Sequence, residues 1–115
     1  MCVCVCVCVC VCVSGMEEGM SNSVVLNVSQ AGTFSDTAAA AGVYRAAVNE
    51  ENTKFGGIVV ADGDGESMCS TLADFAVAIG ADFIKIGAPS RGDRVINFNR
   101  LIQIHDILDR SGRLA

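Results

Sequence analysis

Gly57 to Ile86 reads GIVVADGDGESMCSTLADFAVAIGADFIKI, and these thirty positions carry the choice of fold. Gly57 to Ala61 is a short run of β-formers, and Asp62 to Glu66 is a polar loop. Ser67 is placed to cap a helix running to about Ile79, where Gly80 supplies the stop. Phe83-Ile84-Lys85-Ile86 is then a second short strand. Two strands separated by a helix, with no tight hairpin turn between them, describe a βαβ unit, and such crossovers build parallel sheets.

The same plan extends in both directions. Upstream, Val24-Val25-Leu26-Asn27-Val28 reads as a strand and Gln30 to Phe34 as a turn. Ser35 or Asp36 is expected to cap a helix with Ala40, Val43, Tyr44 and Ala47 on one face. Downstream, Gly87 to Gly92 turns the chain and Asp93 opens a helix that Gly112 ends. Val95, Phe98, Leu101, Ile102, His105 and Leu108 are expected to form its apolar stripe. The prediction is an α/β fold: three parallel βα units, an open three-stranded sheet flanked by helices, as in part of a TIM-type barrel. In such sheets ligands meet the loops at the carboxyl ends of the strands. Here those loops are 29–35, 62–67 and 87–93. Asn27 and Lys85 are polar residues at strand ends and are therefore candidates to face a site, although a lysine there also suits a packed stem with its amine in water.

Composition narrows the rest. A chain of 115 residues makes one small domain with a modest core. Its 8 basic and 13 acidic residues give a net charge of -5 and no basic stripe, which argues against nucleic acid as a partner. Six of the seven cysteines, at positions 2, 4, 6, 8, 10 and 12, alternate with valine from Met1 to Val13. Neighbours on one strand face are poorly placed to bridge, so this is neither a disulfide framework nor a metal motif. ATG followed by alternating TGT and GTG is an uninterrupted TG repeat, which makes a translated dinucleotide repeat and an incorrect gene model the expected origin of the segment. The run lacks a basic leader region and is too short to cross a bilayer, so neither export nor a membrane is expected. Residues 1–22 are thus expected to be a low-complexity repeat and linker, disordered and outside the fold, with 23–115 forming the folded part. Cys69 lies in ordinary sequence before Ser70, in an expected helix, and reads as a small core or surface residue. A reduced, cytoplasmic protein is the expectation.

Five segments then share order and spacing with one family. Val24 to Gly32 reads VVLNVSQAG, Ala61 to Ser67 ADGDGES, Ala73 to Gly80 ADFAVAIG, Ile84 to Pro89 IKIGAP, and Arg91 to Arg94 RGDR. They resemble the closing stretch of enolase (phosphopyruvate hydratase), approximately LLLKVNQIG, SHRSGET, ADLAVG, IKTGAP and R-x-E-R. Phe98-Asn99-Arg100-Leu101 is similar to the start of that family's YNQLLRI helix. The likeness covers about three quarters of this chain and the last quarter of an enolase.

The family is a carbon-oxygen lyase of glycolysis, converting 2-phosphoglycerate to phosphoenolpyruvate with magnesium at the mouth of an eight-stranded barrel. The resemblance implies that Asn27 stands where the family has its catalytic lysine. An amide cannot take a proton from a carbon acid at neutral pH. Ala61, Asp62, Gly63 and Asp64 stand where the family's serine, histidine, arginine and serine contact the substrate; two carboxylates replacing a guanidinium should repel its phosphate. Lys85 matches the lysine that holds the substrate carboxylate and is the substrate-binding position carried over. The magnesium ligands belong to segments that precede this match, so no metal site and no cofactor are expected in this chain. An inactive, enolase-like carboxyl-terminal fragment follows, whose partner would be an enolase-like chain or the missing amino-terminal part of the barrel. The alternative is a truncated gene model of a longer divergent enolase or pseudoenzyme.

Other classes have less behind them. Asp62-Gly63-Asp64-Gly65-Glu66 suggests an acidic cation-binding loop, but a calcium loop starting at Asp62 would need glycine at Ser67 and glutamate at Ala73. Lys85 could form imines with carbonyl substrates, yet no acid-base pair accompanies it. Arg91-Gly92-Asp93 reads as a helix cap rather than an adhesion tripeptide. Asn27-Val28-Ser29 matches a glycosylation sequon inside an expected strand, and His105 falls on a helix stripe as a core or boundary residue.

Overall fold

The computed structural model describes residues 3–5, 18, 23–51, 56–63 and 68–113. Strands β1 (Val3–Val5), β2 (Ser23–Leu26), β3 (Ile58–Ala61) and β4 (Phe83–Lys85) form one sheet in that order. All three pairings are parallel, with Val24 opposite Ile58, Leu26 opposite Val60, and Ala61 opposite Lys85. The helices are α1 (Val28–Ala31), α2 (Phe34–Glu51), α3 (Thr71–Ala78) and α4 (Gly92–Arg110).

The three expected βα units are all present in this open parallel sheet. Beside them, β1 pairs with β2 through Val3 opposite Ser23 and adds a fourth strand at the sheet edge. Alternating β-formers beside an unpaired strand edge have the backbone groups to extend it. The rest of the expected low-complexity repeat and linker lies outside the described residues, apart from exposed Glu18.

Strand alternation sends Val24, Leu26, Ile58, Val60, Ile84 and Ile86 to one side of the sheet. Helix α2 covers part of that side: Ala40, Ala41 and Tyr44 are buried with Val24, Leu26 and Ile58. Helix α3 covers the rest, where Leu72 and Ala76 close over Val60. The stripe on α2 is Thr37, Ala40, Ala41 and Tyr44, while Val43 is 42% exposed. At about 100° per residue, position 43 falls to the side of the arc that 37, 40, 41 and 44 share. Small residues at 40 and 41 let the helix lie close on the sheet, and that proximity sets its rotation.

Several element boundaries differ from expectation for local reasons. Strand β2 stops at Leu26 because Asn27 caps α1, its side chain accepting from the Ser29 N–H. Thr33, rather than Ser35 or Asp36, starts α2: its Oγ accepts from the Asp36 N–H at 3.0 Å and donates to the Asp36 carboxylate at 2.7 Å. Helix α3 begins at Thr71, after Ser70 rather than Ser67, since the Ser70 carbonyl accepts from the N–H groups of Ala73 and Asp74. Ser67 lies outside the described residues, and Cys69 precedes the helix, exposed. At the other end of α3, Gly80 at φ +62 breaks the helix, and the Arg45 guanidinium donates to the carbonyls of Ile79 and Gly80.

Helix α4 carries the largest difference. Asn97 is buried on it, with Leu101, Ile104 and Leu108 half-buried, whereas Phe98 is 37% and Ile102 67% exposed and His105 is also exposed. The covered stripe thus keeps Leu101 and Leu108 from the predicted one and shifts away from Phe98, Ile102 and His105 toward Asn97 and Ile104. The cause is the neighbour: α4 lies on α3, and Arg100 Nε meets Asp74 Oδ1 at 2.8 Å across the pair. Among the described residues no helix is long and apolar enough to cross a membrane.

Candidate functional site

Parallel strands bring their carboxyl ends to the same rim, so Asn27, Ala61–Gly63 and Lys85 arrive together although they are far apart in sequence. The rim is tied by backbone: the Asp62 N–H donates to the Lys85 carbonyl at 3.1 Å. Asn27 adds side-chain ties. Its Oδ1 accepts from the Ser29 N–H at 3.0 Å and from the Ser29 hydroxyl at 2.7 Å, while its Nδ2 donates to the Asp62 carbonyl at 3.4 Å. The amide is therefore engaged at both ends, a combination that only a group carrying donor and acceptor together can make.

Gly63 completes the contact. A Cβ at that position would lie 2.7 Å from Ser29 Oγ and 3.4 Å from Asn27 Oδ1. The loop after β3 thus passes against the turn after β2 with no room for a side chain at 63. Asp64, Gly65, Glu66 and Ser67, the rest of that loop, lie outside the described residues.

Lys85 is exposed at the end of β4, and its ammonium has no ion pair among the described residues. Its strand neighbour on the same face, Phe83, is 62% exposed. Beyond Lys85 the chain turns at Gly87, whose φ of +78 suits glycine; a Cβ there would also sit 2.9 Å from the Arg94 guanidinium. This close crossing sets the path of the loop into α4. Arg91 flanks the start of α4 without a side-chain cap bond and pairs with Asp93 at 3.3 Å, so Arg91-Gly92-Asp93 is built into a helix terminus.

The structure thus brings together Asn27, Asp62, Gly63 and the backbone of Lys85. Other residues singled out from sequence stand apart: Cys69 precedes α3 with its Sγ 2.6 Å from Thr71 Oγ1, and His105 is exposed on α4. Ser29 and the contact role of Gly63 escaped the sequence reading. A signal for Ser29 was present: an asparagine followed two residues later by serine is a side-chain-capped turn pattern, and here that outweighs its reading as a sequon in a strand. Among the described residues no group of three or more His, Cys, Asp or Glu side chains is disposed to hold a metal ion. The magnesium of the resembled family therefore finds no donor set in the described part of this rim.

The family profile described as "Enolase, C-terminal TIM barrel domain" matches residues 5–115. The chain belongs to the enolase family. Enolase of Tropheryma whipplei (strain Twist) is 36% identical over 106 residues, covering 88% of this chain and 22% of that protein. Enolase of Methanococcus maripaludis (strain C5) is 42% identical over 98 residues, covering 84% of this chain and 21% of its own length. The chain therefore spans 21–22% of the length of these curated relatives. It is an enolase-like carboxyl-terminal domain segment, and the open parallel sheet is its share of an enolase barrel.

Proposed function

We propose that this enolase segment does not by itself dehydrate 2-phosphoglycerate, and that it serves as a noncatalytic part of an enolase-like barrel. The supporting observation is Asn27: at the position that the resemblance gives to the proton-accepting lysine stands a neutral amide with both ends hydrogen-bonded. Removing a proton from carbon needs a positioned base, which contributes roughly 10²–10⁴ in rate. Around it, Ala61-Asp62-Gly63-Asp64 offers carboxylates where a phosphate would need guanidinium and hydroxyl donors. Lys85 retains a charge suited to a substrate carboxylate, but a single contact does not assemble a site.

The family's reaction uses magnesium to stabilise the charge that develops on the substrate. The described residues do not supply the carboxylates for it, and no step of the proposal passes through the metal. A glycolytic, cytoplasmic setting is proposed from family membership. Purified 115-residue chain, given 2-phosphoglycerate and magnesium, is expected to form no phosphoenolpyruvate above background. Magnesium-dependent turnover would overturn the proposal.

A second reading has its own support. The face of the sheet bearing Phe83 and Lys85 is not covered by α2 or α3, and the relatives are several times longer than this chain. We propose the remaining strands of an enolase-like barrel, from a longer form of this protein or another enolase-like chain, as the partner of that face. Co-expression with the complementary barrel portion should yield a stable complex; two independently eluting species would exclude it.

A further inference from the structure

We propose that Asn27 is a positioning residue whose amide clasps the turn after β2 to the loop after β3, so the place given to a proton acceptor in the family is used here to hold the rim shut. The idea rests on the reading of position 27 given above, and deepens it by assigning the replacement a task. Three contacts carry it. Oδ1 takes both Ser29 donors at 3.0 and 2.7 Å, the opposite end of the same amide reaches the Asp62 carbonyl at 3.4 Å, and Gly63 lies so close that a Cβ would meet Ser29 Oγ at 2.7 Å. The chain of contacts continues to β4, because the Asp62 N–H is bonded to the Lys85 carbonyl at 3.1 Å. One side chain on the first loop thus braces the second loop, which is itself fastened to β4.

The chemistry of the side chain makes the proposal specific. An ammonium only donates, so lysine at 27 could not accept from Ser29; a carboxylate only accepts, so aspartate could not donate to the Asp62 carbonyl. Asparagine does both. Cap and clasp can therefore be separated by substitution, which a general packing role would not allow.

The test is amide hydrogen exchange on the full 115-residue chain, with the Tyr44 amide in α2 as an internal reference. Asn27→Asp is expected to leave Ser29 protection within about twofold while the Asp62 N–H, whose bond to the Lys85 carbonyl is steadied by the clasp on the carbonyl of the same residue, exchanges about fivefold faster, the factor that corresponds to one ordinary net hydrogen bond. Asn27→Ala is expected to accelerate both sites. Unchanged exchange at Asp62 in both variants would overturn the clasp. A second arm covers variants that loosen the whole chain: Gly63→Ala should lower the unfolding midpoint of the parent, and the loss should shrink when Ser29→Ala removes the 2.7 Å clash. Equal losses in both backgrounds would show that the loops do not touch, and would also overturn the proposal. Turnover of 2-phosphoglycerate would end the functional reading without altering these exchange rates, so the two proposals fail separately.

Discussion

The two faces of the sheet are written in much the same alphabet and end in different surroundings. On one, Val24, Leu26, Ile58 and Val60 are at most 4% exposed beneath α2 and α3. On the other, Val25 and Val59 are half-buried and Phe83 is 62% exposed, while the small residues Ser23, Gly57 and Ala61 are covered. Parallel strands are ordinarily buried on both faces, because their crossovers or a closed barrel cover each side. The segment therefore supplies one helical layer, and the other layer is the one for which partner strands are proposed above. The difference separates two questions. The helix-covered face concerns whether the segment folds, and the open face concerns what it joins.

Substitutions can break this contrast, starting from the covered face. Ile58→Ala removes a side chain 1% exposed between β2 and α2, and should cost roughly 2–5 kcal/mol in urea unfolding. A loss within about 0.5 kcal/mol would mean that the helical layer does not hold the fold. Next in size is Asp82→Ala at the amino end of the sheet. There the carboxylate accepts from the Ile58 N–H at 2.9 Å while the Asp82 N–H returns a bond to the Ile58 carbonyl at 3.0 Å. Losing the side-chain bond should cost about 1 kcal/mol, read as a lowered unfolding midpoint. The smallest effect sharpens the comparison: Phe83→Ala on the open face should change the stability of the chain alone by less than about 0.5 kcal/mol. In a complex with complementary barrel strands, the same substitution should weaken association measurably by titration calorimetry. Equal effects with and without partner strands would assign the open face to solvent.

Much of this was legible in the sequence. Alternation of short β runs with helical periods located all three βα units, and glycines 80 and 112 marked helix ends at the right positions. The strand pattern also placed Asn27 and Lys85 near strand ends; Lys85 ends β4, and Asn27 follows β2 as a helix cap. The helix starts were less legible, because Ser67 and Ser70 are equally good caps by composition, and Thr33 competes with Ser35 and Asp36. Local propensity does not rank them; at α2 the side-chain bonds of Thr33 to Asp36 decide, whereas α3 starts after Ser70 without a side-chain cap bond. The stripe on α4 was misread because the helix carries apolar residues around more than one arc, and periodicity alone does not say which arc meets a neighbour.

From residue order alone come the parallel βα plan, the enolase kinship and the chemical identity of the rim: an amide at 27, acids at 62 and 64, and a lysine at 85. These follow from pattern and side-chain type, which are local properties. Tertiary structure decided that α4 turns Asn97 inward and Phe98 outward, that Val3–Val5 joins the sheet, and that Asn27 reaches Asp62, 35 residues away. Such contacts depend on where separate elements come to rest against one another. No window along the chain contains that information, because the partner in each case belongs to another element.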